Sequence, residues 1–391
     1  MTARHLWAEY AWLGGAHPGT ASGVLITVDG GRFTAVSPAT PAPPAGATRL
    51  RGLTLPGLAN AHSHAFHRAL RGRTHGGKGT FWTWREGMYR LAERLDPDTY
   101  HALARATFAE MALAGITCVG EFHYLHHAPG GARYADPNEL GHRLIAAAAD
   151  AGVRLTLLDT LYLSSTVDGK PLHGPQLRFG DGTVDGWADR VARLSPPAHA
   201  RLGAAAHSVR AVPADSLTAF AERTAGWTVH THLSEQRAEN EACLATHGCT
   251  PTQLLAAHGL LGPRLTAVHA THLSGTDRTL LGDHAVRICL CPTTERDLAD
   301  GIGPARALAD AGTPLCLGSD SHAVIDLLEE ARAVELDERL RDEHRGHFDA
   351  DELLTAATAG GHASLGWMDA GAITPGARAD LVTVRLDTVR T

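Results

Sequence analysis

Short apolar runs recur along most of this chain. They span residues 54–61, 116–122, 153–159, 202–206, 228–233, 265–270, 285–291 and 314–319. Segments between them, at 97–114, 137–151, 185–194, 214–225, 304–311 and 324–341, carry helical spacing of apolar positions. Apolar runs bounded by turn residues read as buried strands, and strands alternating with helices imply right-handed crossovers and a parallel sheet. Eight such runs predict closure into a (β/α)8 barrel. An open doubly wound sheet is the structural alternative, and no Gly-x-Gly-x-x-Gly turn follows the first run to favour it. Residues 1–52 break the rhythm with β-prone pieces at 23–28 and 32–36 and a Pro-rich stretch at 38–44. After the eighth unit, 351–358 and 362–366 predict a helical segment ending at glycine, and 376–384 predicts a returning strand. The expected organisation is a small β-sandwich domain made by 1–52 and 371–391, beside a barrel over 53–370.

The polar residues that end these runs carry the chemistry. The first run reaches a Pro56-Gly57 turn signal and then His62-x-His64. In extended chain, residues i and i+2 share a face, so both imidazoles can serve one cation. The fifth run ends as His230-Thr-His232-Leu-Ser-Glu235, the sixth as His269-Ala-Thr-His272, and the eighth as Asp320-Ser-His322. In a parallel barrel the C-terminal strand ends form the active face. A mixed imidazole and carboxylate set there points to a divalent metal, and zinc, iron and manganese all accept such donors. One histidine ending among 25 histidines is ordinary core chemistry; four endings on one face are not.

Composition narrows the chemistry further. The chain has 391 residues, 44% of them hydrophobic and 20% charged, as expected for a globular enzyme. A net charge of -7 argues against a general nucleic-acid or anionic-membrane surface. No run approaches the ~18 apolar residues of a membrane span, and residues 1–15 lack an export signal's apolar core, so a cytoplasmic location is expected. The six cysteines fall mostly in apolar runs and read as reduced, buried thiols. Lys78 and Lys170 are the only lysines, and both sit in loops. A lysine-bridged pair of metals is therefore not expected; one metal with an open position for water is the simpler reading. Glu121, ending the second run, is the alternative bridging group.

With these endings in place, the whole chain resembles the amidohydrolase superfamily and, within it, the mononuclear deaminase branch. The resemblance implies a TIM barrel of that type. It further implies one divalent metal, zinc, on His62, His64, His232 and Asp320, with Glu235, His269 and Asp320 handling protons. Residues 60–66, 81–86, 120–127, 207–212 and 318–322 look most like those of the formimidoylglutamate deiminases of histidine degradation. That likeness implies hydrolysis of N-formimino-L-glutamate to N-formyl-L-glutamate and ammonia by a homodimer. A metal that brings the pKa of water toward ~7 supplies hydroxide for the amidine-like carbon. The small substrate's two carboxylates call for cationic clamps, and the resemblance implies Arg85, Tyr124, His207, Arg210 and His67 as its binding residues. His67 replaces the glutamine usual after Ala-Phe, and 294–298 reads Thr-Glu-Arg-Asp-Leu in place of Thr-Glu-Ala-Asn-Leu. A related deaminase acting on guanine, cytosine or another amidine-like substrate is the alternative.

Overall fold

The computed structural model describes residues 3–15, 17–74, 78–389 and 391; Met1 and Thr2, where the reading of the N-terminus begins, lie outside them. Four strands open the chain: β1 (Arg4–Gly14), β2 (His17–Asp29), β3 (Arg32–Ser37) and β4 (Thr48–Pro56). Eight follow, each shielded on both faces: β5 (Leu58–Ser63), β6 (Ile116–His123), β7 (Arg154–Leu161), β8 (Ala200–Ala206), β9 (Val229–Leu233), β10 (Leu265–His269), β11 (Arg287–Leu290) and β12 (Leu315–Leu317). The last strand is β13 (Leu381–Val384).

Strands β5 to β12 form one parallel sheet in sequence order. Its ends meet through a parallel bridge between Ser63 and Asp320, where Asp320 N–H donates to His62 O at 3.0 Å and His64 N–H to Asp320 O at 3.1 Å. The barrel closes at the point where the metal-type residues lie. Gly318 permits this approach, since a Cβ there would stand 2.7 Å from His62 Cβ. The helices between strands are capped as their sequences suggest. Asp96 accepts from Thr99 N–H at 2.8 Å to start Pro97–Leu113, and Gly152 (φ 75°) ends Glu139–Ala151.

Two expectations need correction. The run 54–61 is two strands: β4 belongs to the small sheet and β5 to the barrel, divided at Gly57, whose Cβ would lie 2.4 Å from Thr117 Oγ1. Residues 54–61 are buried throughout, so the Pro56-Gly57 turn signal alone marks the break. The terminal β unit is one sheet, ordered β13-β4-β1-β2-β3. Residues 376–384 cross from one edge to the other. Phe33 exchanges backbone hydrogen bonds with Ala377 and Gly376 at 2.9 and 2.8 Å, and β13 then pairs antiparallel with β4. This closes the sheet around Ala8, Ala11, Val24, Ile26, Phe33 and Ile373. Arg85 lies on a helix, Phe81–Ala92. Among the described residues, no helix is long and apolar enough to cross a membrane.

Candidate metal centre

The strand ends that carry the chemistry have unusual backbone. Ser234, His269, Ala270, Asp320 and His322 all have positive φ, at 50°, 70°, 52°, 44° and 61°. Non-glycine residues adopt this region at a cost, and such positions concentrate at functional sites. Here the conformation turns each chain sharply off the barrel, aiming side chains across its mouth.

Four side chains converge there. His62 Nε2 lies 3.1 Å from His232 Nε2 and 3.2 Å from Asp320 Oδ1; His64 Nε2 lies 3.3 Å from His232 Nε2 and 3.4 Å from Asp320 Oδ1. A tetrahedral ion with ligands at ~2.0–2.1 Å has ligand-to-ligand edges of ~3.3–3.4 Å, so this spacing suits a cation. The tautomers suit one as well. His64 Nδ1 donates to Phe122 O at 3.0 Å and His232 Nδ1 to His207 O at 2.9 Å; a carbonyl only accepts, which leaves Nε2 with its lone pair. Burial lowers the pKa of His62, His64 and His232, keeping the rings neutral. Burial alone would raise the Asp320 carboxyl, but hydrogen bonding to His62 and the nearby His269 and His64 hold it below the usual carboxylate range.

Two further groups face the cluster. His269 Nε2 is 3.8 Å from Asp320 Oδ2 and 3.7 Å from Glu235 Oε1. Burial opposes a charge on His269, but Glu235, Glu295 and Asp320 together raise its pKa to about 10. Burial, with Asp320 and Glu239 adding to it, raises Glu235 to about 7. Glu121 is not turned toward the cluster. It accepts from Ser63 Oγ at 2.5 Å and Ala65 N–H at 2.7 Å, and burial raises its pKa to about 8. Both oxygens are committed to holding the end of β5, so it is no bridging ligand. No lysine lines the cavity among the described residues.

One cavity joins His64, His232, Glu235, His269 and Asp320 to His67, Arg85, Tyr124, His207 and Arg210. His67 Nε2 is 2.8 Å from Tyr124 OH, while its Nδ1 is buried without a partner. Arg210 is buried, its Nη1 donates to Glu239 Oε2 at 3.1 Å, and its Nε has no partner. Arg85 Nε donates to Tyr89 OH at 2.6 Å, beneath the Trp82 and Tyr89 rings. Other imidazoles point elsewhere. His230 meets Ser364 O at 2.9 Å, His272 meets Asp300 O at 2.8 Å, and His322 sits between Ser63 and Ser319 at 3.0 and 2.9 Å. His126 bonds Thr160 O at 2.9 Å and His127 meets Asp181 at 3.1 Å, away from the cavity.

Sequence reasoning passed over Tyr89, Trp84, Tyr162 and Phe179, which wall the cavity, and Glu239 and Glu295 behind it. Glu239 had a signal: it follows Glu235 by four residues at the start of a helix.

A family model described as "Amidohydrolase family" matches residues 53–390. Formimidoylglutamate deiminase from Pseudomonas aeruginosa is 39% identical over 353 residues, covering 87% of this chain and 78% of that protein. A solved amidohydrolase from Brucella melitensis superposes with a TM-score of 0.89 at 33% identity, over 97% of this chain and 86% of that one. An adenosine deaminase from Xanthomonas campestris, solved with bound zinc, gives 0.84 at 25% identity, over 99% and 85%.

Proposed function

Because the chain belongs to the amidohydrolase family, we propose that it is a metal-dependent deiminase that hydrolyses N-formimino-L-glutamate to N-formyl-L-glutamate and ammonia. The observation that carries this reading is a single cavity lined both by residues of the His/Asp cluster and by Arg85 and Arg210. Two guanidinium groups in one buried site suit a substrate with two carboxylates. Arg210 Nε, buried and unpartnered, is a donor in search of an acceptor.

His62, His64, His232 and Asp320 would hold one zinc ion, consistent with the three-imidazole, one-carboxylate donor set. When bound, it supplies an acidified water and a positive charge beside the scissile carbon. The charge of the bound ion would oppose the proton that the three carboxylates favour on His269, leaving Nε2, which faces Asp320 and Glu235, able to take a proton from the attacking water. Glu235 Oε1 delivers a proton to the imino nitrogen, and the second proton of the attacking water, taken up by Asp320 and passed on beside His269, completes the ammonia as the C–N bond breaks and the carbon keeps the water oxygen as a carbonyl. A carboxyl near neutrality is matched to that exchange. Tyr124 and His67 orient the formimino group. This reading assigns the protein to histidine degradation, as a cytoplasmic homodimer.

A purine deaminase is the rival, favoured by the aromatic walls Trp84, Tyr89, Tyr124, Tyr162 and Phe179. Flat rings stack on such walls, but a nucleobase carries no carboxylate for Arg85 or for the bare Nε of Arg210. Ammonia release from N-formimino-L-glutamate, guanine, cytosine and adenosine separates the two. We expect kcat/KM of at least ~10⁴ M⁻¹s⁻¹ for the first and little for the others. Turnover of a nucleobase with none of the formimino compound would overturn the proposal.

A further inference from the structure

Three consecutive residues of the short helix Pro292–Asp297 each grip a different neighbour of the site. Thr293 donates its N–H at 2.9 Å, and its hydroxyl, to the carboxyl of Glu330, which is fully buried on Leu327–Asp342. Thr294 Oγ1 accepts from Ser321 N–H at 3.2 Å and donates to Ser319 O at 3.4 Å, holding both residues that flank Asp320. Glu295 Oε1 accepts from Cys291 N–H at 3.0 Å and lies 3.3 Å from His269 Nδ1. No other acceptor reaches that nitrogen among the described residues.

We propose that Glu295 is a positioning residue for His269. It accepts the Nδ1–H, fixes that tautomer and aims Nε2 at the space between Asp320 and Glu235. The proposal rests on the reading of His269 as the proton carrier. A carboxylate on one ring nitrogen decides the state of the other, and a buried acid behind an active imidazole acts by holding tautomer and orientation. The backbone does not do this for His269, which stands at φ 70° at the tip of β10. Glu295 can, because its own oxygen is pinned by Cys291 N–H and its helix is bolted on two further sides. The same helix fixes Asp320 through Thr294, so one element sets the separation of the two groups that Nε2 must serve.

Full-length protein, with zinc and without, is labelled with ¹⁵N-histidine, the His269 signal being assigned by its loss in His269→Asn. Wild type should show a protonated Nδ1 in both forms, and Glu295→Ala a mixture of tautomers. Glu295→Gln should keep the wild-type tautomer, since the oxygen bound by Cys291 N–H must be the amide carbonyl, leaving the NH₂ turned away. With N-formimino-L-glutamate, Glu295→Ala should lower kcat by at least ~30-fold with KM within ~3-fold and metal content unchanged. Glu295→Gln should recover at least ~10-fold of that loss. A protonated Nε2 with bare Nδ1 in wild type would overturn the proposal, as would Glu295→Ala with wild-type tautomer and kcat. If Glu295→Ala does not fold, the wild-type tautomer and Glu295→Gln decide. A fully active His269→Asn would remove the functional reading alone, the wild-type tautomer still deciding the positioning.

Discussion

Arg210 illustrates how single residues set affinity here. Its guanidinium is buried, with one arm neutralised by Glu239 and another nitrogen bare. Glu239 also accepts from Ser234 N–H at 3.2 Å, so the residue that steadies Arg210 steadies the turn presenting Glu235. A lysine in place of Arg210 keeps the charge but loses the fork, and a charged hydrogen bond is worth about 1.5–3 kcal/mol. Arg210→Lys should therefore raise KM for N-formimino-L-glutamate by roughly 10- to 100-fold while kcat falls much less, read by steady-state ammonia release. An unchanged KM would mean that Arg210 does not touch the substrate. Glu235→Gln should give the opposite split, with kcat reduced ~10²–10⁴-fold and KM little altered.

Elements are held by buried polar links as well as by apolar contact, and the helix Val184–Val191 is a clear case. Its Arg190 forks onto Asp159 of β7 at 2.7 and 2.9 Å and onto Asp181 at 3.0 Å. Burial pushes the Asp181 carboxyl up, but the hydrogen bond from His127 and the charges around it, Arg190 included, bring it down to about 2. A folded pKa below the ordinary value of 3.8 stabilises the fold above about pH 4, and the contribution is lost as pH falls through about 2. Asp181→Asn should cost about 2 kcal/mol at pH 7, and the gap to wild type should close between pH 4 and 2 in denaturant titrations. A gap independent of pH would refute the assignment. Links of this kind are what the sequence hides. Apolar runs revealed the barrel strands, and the histidine and aspartate endings of four of them revealed the metal-type residues, because burial pattern and side-chain chemistry coincide there. The break at Gly57 shows only as the Pro56-Gly57 turn signal, since two strands of different sheets abut there within one buried run. Nor did β12 reveal its length: the run at 314–319 yields only Leu315–Leu317, because Gly318 and Asp320 must bend back toward His62. The part proposed for Glu295 depends on a contact with His269, 26 residues earlier, which no local pattern encodes.

For the whole molecule, the cluster lies on the barrel's seam. Strand β12 has three residues, and closure onto β5 relies on the Ser63–Asp320 bridge, two flanking backbone hydrogen bonds, and Asn60, which donates to Ser319 Oγ at 2.7 Å and accepts from its N–H at 2.9 Å. Across this seam, the neutral rings of His64 and His232 bring lone pairs within 3.3 Å of each other. That arrangement is unfavourable by itself, and a cation turns it into a staple between β5, β9 and residues 318–320. A ligand that binds only the folded state at ~1,000 times its Kd adds about 4 kcal/mol. Removing the metal with a chelator should therefore lower Tm. It should also speed amide hydrogen exchange at least ~10-fold at 60–64 and 318–322, leaving β1 to β4 unaffected because they share no ligand. Restoring zinc should reverse both changes in wild type and neither in Asp320→Ala. Exchange at the seam that ignores the chelator would mean that protein contacts alone close the barrel, and the cluster would then have no part in holding it shut.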